Sequence, residues 1–295
     1  YIFVRDGTSW SQQAKLTASD ANNSDKFGMG VAIYGDYAII GAREDDDNNE
    51  SRSGSAYIFV RDGTSWSQQA KLTASDADYY EEFGASVALY DNYAIVGASY
   101  YHLINNSNGS AYIFIRDGST WSQQAILTAS DGAANDWFGR SVDIYGDYAI
   151  VGAYLDDDNA TDSGSAYIFI RDGSTWSQQA KLTASDAAAS DYFGYSVAIG
   201  THYAVVGSYR DDDGGNSSGS AYIFVRDGTS WTQEAKLTAS DAGGMDYFGY
   251  SVAAYGGSII CGAYNWSTDA YPEQGAAYVF TMPFVQIPAV RDDPR

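Results

Sequence analysis

The chain has 295 residues, 45 % hydrophobic and only 18 % charged, with 38 Asp and Glu against 16 Lys and Arg and a net charge of −22. That balance excludes a nucleic-acid binder, which needs Lys and Arg to neutralise phosphates, and it argues against docking on anionic lipid. No apolar run of about 18 residues inserts in a membrane, no signal peptide is expected at the start, and a single Cys261 excludes a disulfide framework or a thiolate metal site.

In chain order, the first element is an alternating apolar run, Tyr1-Ile2-Phe3-Val4, followed by a turn at Asp6-Gly7 and a more polar run from Trp10 to Ala14. Residues 1–18 are predicted to form a β-hairpin. Phe27-Gly28 then opens a unit that recurs at Phe83, Phe138, Phe193 and Phe248, spaced by 56 residues once and by 55 thereafter. In the copy that starts at Phe138, FGRSVDI reads as a strand A and YGD as a tight turn. YAIVGA, apolar throughout, reads as a strand B buried on both faces. A polar loop, YLDDDNATDSG, leads to SAYIFIR, an alternating strand C. A DGST turn leads to WSQQAKLTAS, a polar strand D suited to an edge. After the last YVF at Tyr278 no further RDG hairpin follows. The tail 282–295 holds three of the four prolines and reads as extended.

A four-stranded sheet cannot bury both faces alone, whereas sheets repeated around an axis can. The expected fold is all-β: a β-propeller of four-stranded antiparallel blades, five in number, over residues 1–281. Strands A, B and D occur five times and strand C six times. The hairpin 1–18 is therefore expected to close or swap with the last blade.

The pattern Phe138-Gly139, Gly152-Ala153 and Gly164-Ser165-Ala166-Tyr167, with its equivalents in the other copies, resembles the FG-GAP repeat of integrin α-subunit propellers and of many microbial and algal surface proteins. The resemblance covers about residues 1–281. It implies a propeller with a binding or adhesion role, extracellular or at the cell surface, and implies no reaction. Integrin propellers have seven blades and place calcium loops of the type D-x-D-x-D-G between strands A and B. Here that place holds only the short turns YGDY and YDNY.

In an antiparallel blade the A–B and C–D turns share one side, and the B–C and D–A loops share the other. Variation between the copies is concentrated on the second side, where recognition is expected. Asp45 and Asp47, Asp156 and Asp158, and Asp211 and Asp213 recur there in three copies as Asp triplets. They are candidates either for Ca²⁺, a cation that takes six to eight oxygens, or for a solvated acidic face. Sequons at Asn22, Asn49, Asn105, Asn108, Asn159, Asn216 and Asn265 lie in the same loops and are candidate N-glycosylation sites. Tyr192, Tyr195, Tyr209, Tyr247, Tyr250 and Tyr264 cluster near the Phe-Gly and Gly-Ala positions. They read as a sugar-binding rim or as packing between blades.

Only two histidines, His102 and His202, are present, neither beside a nucleophile, so no enzyme is expected. The DGTSW turn approaches the sialidase Asp-box but lacks one residue before the glycine. The expected function is extracellular adhesion or structural assembly, with a lectin-like propeller as the alternative. The expected partners are a second copy in a homo-oligomer or filament, another surface protein, or a glycan. Self-association would use the chain ends, with Phe284, Val285, Ile287 and Val290 of the tail as anchors.

Overall fold

A computed structural model describes residues 1–46, 51–99, 108–267 and 273–282, and among these all regular structure is β. β1 (Ile2–Asp6) and β2 (Ser9–Ala14) form a two-stranded hairpin. The first blade is β3 (Phe27–Tyr34), β4 (Tyr37–Ala42), β5 (Ser55–Asp62) and β6 (Ser65–Leu72). The second is β7 (Ser86–Tyr90), β8 (Tyr93–Ala98), β9 (Ser110–Asp117) and β10 (Thr120–Leu127). The third is β11 (Phe138–Tyr145), β12 (Tyr148–Ala153), β13 (Ser165–Asp172) and β14 (Thr175–Leu182). The fourth is β15 (Phe193–Ile199), β16 (Tyr203–Ser208), β17 (Ser220–Asp227) and β18 (Ser230–Leu237). The fifth shows β19 (Phe248–Tyr255), β20 (Ser258–Ala263) and β21 (Ala276–Thr281). Strands pair in sequence order within every sheet, as tight turns between antiparallel neighbours dictate. The fold is a five-bladed β-propeller, as the repeat arithmetic requires.

The chain divides into two compact units, residues 1–151 with 169–178 and residues 152–168 with 179–295. In the first, Ile39, Ile58 and Leu72 of one sheet pack against Phe83, Val87, Leu89, Tyr112 and Phe114 of the next. In the second, Val205, Ala221 and Ile223 pack against Phe248, Ile259 and Cys261. Strand B is apolar throughout because both of its faces are covered in this way, and strand C alternates which face it serves.

Phe-Gly is the joint between successive sheets. The Phe193 ring is fully buried, with its centroid 5.4 Å from that of Tyr222 and 5.9 Å from that of Phe224. Its N–H donates to the carbonyl of Ser163, 3.0 Å away at the end of the preceding loop. Phe193→Ala should cost about 3–5 kcal/mol in urea unfolding through the cavity it leaves. Phe27, which is partly exposed, should cost less.

Strand D is an edge strand, yet its polar residues are engaged. Trp66 Nε1 donates to Gln13 Oε1 at 2.8 Å, and Trp121, Trp176 and Trp231 repeat this with Gln69, Gln124 and Gln179. The other glutamine of each motif accepts from a backbone N–H a few residues beyond the previous strand D: Gln68 from Ser19, Gln123 from Ser75, Gln178 from Ser130 and Gln233 from Ser185. SQQA is therefore a clasp between neighbouring D strands.

Among the described residues, two sheets keep one apolar face uncovered. Val31 of β3 is 67 % exposed, although its equivalents Val87, Val142 and Val197 are buried. Ile33 beside it is exposed too. Ile260 of β20 and Val279 of β21 are 45 % and 71 % exposed, whereas their equivalents Ile95 and Ile113 are fully buried. A groove of about 640 Å³ runs beside Val31 and Ile33, walled on the other side by Ile2 and Leu16 of the N-terminal hairpin region.

Candidate functional site

The Asp triplets sit at the start of the B–C loops, where the loop leaves the buried end of strand B. This placement buries Asp45, Asp156 and Asp211 and leaves Asp46, Asp157, Asp158, Asp212 and Asp213 exposed. In the first unit, the Lys71 ammonium lies 2.9 Å from Asp45 and 2.7 Å from Asp20, and Tyr57 donates to Asp45 at 2.9 Å. In the second unit, Lys181 contacts both Asp156 and Asp158, and Tyr167 donates to Asp156 at 2.7 Å. The fullest network surrounds Lys236, at 2.7 Å from Asp186, 2.8 Å from Asp211 and 2.5 Å from Asp213. The Tyr222 hydroxyl lies 2.7 Å from Asp211 and 3.0 Å from Asp186.

These carboxylates divide the work. The first Asp of each triplet takes the lysine and the tyrosine. The second caps the loop: Asp46 accepts from Arg52 N–H, Asp157 from Asp162 N–H and Asp212 from Ser217 N–H. The third, where described, returns to the lysine; Asp47 lies outside the described residues. Asp186, Asp211 and Asp213 do converge, with oxygens within 4.8 Å of one another, but the ammonium of Lys236 already stands among them. A metal ion there has to displace a cation that the fold supplies. Burial opposes the charge on Asp186, but hydrogen bonds from Lys236 and Tyr222 outweigh it and hold the carboxyl below its ordinary range. Lys236 is held above its range, because its carboxylate partners outweigh burial.

The second blade shows the same logic by its absence. Ile126 replaces the lysine, and the loop after Ser99 has no Asp triplet. There burial pushes Glu81 up to about 7 against a backbone hydrogen bond at Asp78, and the charges of Asp76 and Asp78 add to the rise.

The A–B turns do not hold the residues of an integrin-type calcium loop. The Asp36 and Asp147 carboxylates are taken by Arg61 and Arg171 of the adjoining RDG turn, and Asn92 by Arg116. His202 stands in the same place and faces Arg226 at 3.0 Å, so it is a turn residue. Arg116 and Arg171 also lie over the rings of Tyr37 and Tyr93, at 4.3 and 4.6 Å. Cys261 is buried, and that burial pushes its thiol up to about 12, the reverse of a reactive cysteine. His102 lies outside the described residues.

The tyrosines predicted as a rim do come together, all in the second unit. Tyr195 contacts Tyr209 at 4.5 Å and Tyr250 at 4.8 Å, and the Tyr195 and Tyr250 hydroxyls are hydrogen-bonded at 2.9 Å. Tyr247 stacks on Tyr264 at 5.3 Å, and Tyr192 joins through Tyr209. Tyr154, which the sequence reading left out, extends the belt, and Arg210 lies 4.8 Å over Tyr192. Most of these pairs meet edge to face, so the rings consume much of their own faces. Tyr264 is the exposed member.

Of the sequons, Asn22, Asn159 and Asn216 are exposed, and Asn108 and Asn265 are half-buried. Asn265 spends its side-chain amide on the carbonyl of Met245 at 2.8 Å. Asn49, Asn105 and the tail residues Phe284, Val285, Ile287 and Val290 lie outside the described residues.

A sequence comparison with characterised proteins gives no match. The FG-GAP repeat family matches residues 10–59, 66–114, 121–169, 176–224 and 231–280. Each matched stretch starts in the strand D that ends one sheet and runs through strand C of the next, so it spans the Trp–Gln clasp and the Phe-Gly joint described above. Well over half of the sequence carries this pattern five times in succession, and the chain belongs to the FG-GAP repeat family.

Proposed function

We propose that this chain is a non-enzymatic protein of the cell exterior, used for adhesion or structural assembly, and that it associates head-to-tail with its own kind through its terminal sheets. FG-GAP membership is in keeping with a surface role. The observation that carries the reading is the fivefold FG-GAP repeat; among the described residues, the apolar faces left uncovered on β3 and on β20–β21 are the candidate contact surfaces. The exposed residues occupy positions that are buried in the internal sheets. They are also unlike one another, because one face is of the type that looks forward along the repeat and the other of the type that looks back. Unlike faces on one molecule make a heterologous contact, which leaves each end free to continue.

Sedimentation velocity over a concentration series tests this. The expected result is a mass that grows from monomer to dimer and longer species, with ordered polymers in the electron microscope. A monomer at every concentration ends the reading. A second reading, a lectin-like propeller, draws on the tyrosine belt: exposed Tyr264 backed by Tyr247 and Tyr250 offers a ring face and hydroxyls to a sugar. Glycan-array binding that Tyr264→Ala abolishes would support it.

A further inference from the structure

We infer that Tyr195 and Tyr250 form an oxidative modification site, which a haem peroxidase with hydrogen peroxide converts to an intramolecular dityrosine. The two residues hold the same position in consecutive repeats, directly after Phe193-Gly194 and Phe248-Gly249. Both lie inside the second compact unit. Their ring centroids are 4.8 Å apart with the planes at 44°, and the Tyr195 hydroxyl donates to the Tyr250 hydroxyl at 2.9 Å. In a dityrosine the rings are joined carbon to carbon, ortho to the hydroxyls, with the planes twisted and the two oxygens sharing a hydrogen bond. The unlinked pair therefore already has the hydroxyl contact and the twist of the product, at nearly its ring separation.

The surroundings hold this pose. Ser196 Oγ donates to the Gly249 carbonyl at 2.8 Å, which pins the backbone next to Tyr195 to the backbone next to Tyr250. Tyr209 meets Tyr195 at 4.5 Å and Tyr250 at 5.3 Å, both edge to face. Tyr154 meets Tyr195 in the same manner at 5.3 Å, with the planes at 82°. Such a neighbour sets the edge of one ring against the face of the other, so it fixes the rings without aligning ortho carbon with ortho carbon. Tyr195 and Tyr250 are themselves half-buried, held by packing yet within reach of an oxidant at the surface. The first unit carries a second pair of this kind. Tyr90 and Tyr145, the last residues of β7 and β11, lie 4.6 Å apart with their planes at 45°.

The step balances on peroxide. Each phenol gives up one electron and its hydroxyl proton, leaving a tyrosyl radical whose unpaired electron is shared with the ortho carbons. The two radicals combine, and one carbon–carbon bond forms between the rings. Each bonded ortho carbon then passes its hydrogen to the phenol oxygen through solvent, which restores both rings and both hydroxyls. The two electrons and two protons released reduce one hydrogen peroxide to two waters. Because the rings are already oriented, the coupling needs no encounter between separate molecules. The link ties the fourth sheet to the fifth, in a chain whose single cysteine leaves it no internal disulfide.

The test treats the dilute full chain with a haem peroxidase and hydrogen peroxide, then digests the monomer band of a denaturing gel with trypsin. The expected result is dityrosine fluorescence in that band and a species two hydrogens lighter that joins peptides 182–210 and 237–291 through Tyr195 and Tyr250. Tyr90 with Tyr145 should give a second link, between peptides 72–116 and 141–171. Tyr195→Phe and Tyr250→Phe keep the rings but have no phenolic hydrogen to lose, and each should lower the yield of the first link by on the order of tenfold or more. Tyr209→Phe removes a ring hydroxyl that is as close but edge-on, and should leave that yield unchanged. A link formed within peptide 182–210, or one between the two peptides that persists in Tyr195→Phe or Tyr250→Phe, overturns the site. Dityrosine found only in covalent dimers does the same. A light-driven ruthenium oxidant with persulfate, which needs no docking to the protein, provides the second measurement: a monomer left unlinked by both oxidants overturns the proposal.

Discussion

Gly164→Ala is expected to be among the most destabilising single-methyl changes in this chain, costing about 4 kcal/mol or more. Gly164 ends the B–C loop of the third blade with φ +85°. A Cβ built there meets the carbonyl oxygen of Phe193 at 2.0 Å and its nitrogen at 2.7 Å. Two penalties combine. The left-handed backbone disfavours any side chain by roughly 1–2 kcal/mol. The clash is with backbone, which no rotamer change relieves, and it pries apart the bridge between Gly164 and Phe193 that joins one sheet to the next. Gly173 separates the two contributions. It has φ +61° in the RDG turn, but nothing lies within 4 Å of its Cβ position. Gly173→Ala should therefore cost only the backbone share, about 1–2 kcal/mol. Urea midpoints of the two variants give the comparison, and equal losses would sink the close-approach explanation.

That contrast shows what the sequence makes legible. The repeats of Phe-Gly, YAIVGA and SAYIF state the strands, their order and their burial, because period-two patterning and turn chemistry are local. The destination of the side chains is less local. SQQA reads as a polar edge strand, and only the neighbouring sheet reveals that each glutamine has an assigned partner. The Asp triplets read as a candidate cation site, and the cation that the structure supplies is a lysine some 25 residues downstream. A signal for it was present: the second copy loses the lysine, at Ile126, together with the Asp triplet, Tyr101 standing at the place of Asp45. Val31 could not be read at all. Its motif matches that of Val87, and its exposure depends on a neighbouring sheet rather than on its own residues.

The second large effect is expected at Lys236. Lys236→Met removes the ammonium from Asp186, Asp211 and Asp213 while keeping the length that covers the Tyr222 ring, over which the ammonium now lies at 5.2 Å. Asp211 is buried, so its carboxylate loses its counter-charge and keeps only the donors Tyr222, Ser220 and the Asp213 N–H. Breaking a buried pair from one side costs about 3–5 kcal/mol, because the remaining charge stays out of water. Lys236→Met with Asp211→Asn should recover part of that loss. The pH dependence carries a sign. Asp186 is held below its ordinary range, so the stability it contributes is present above the unfolded pKa and is lost as pH falls through the folded value. Asp191 runs the other way: burial, with Asp211 and Asp212 adding to it, pushes it up to about 6 against the Ala188 N–H bond. Its contribution is present below about 4 and is lost as pH rises through about 6. In Lys236→Met the Asp186 contribution should shrink, so the variant should lose less stability than the wild type on acidification below pH 4. Calcium and chelator provide the remaining comparison. With the lysine in place, neither should move the wild-type Tm, because a ligand that does not bind gives no linkage. A Tm that rises with calcium in Lys236→Met alone would identify the lysine as the resident cation of a site able to accept another. A rise of equal size in the wild type would overturn the assignment of these carboxylates to lysine.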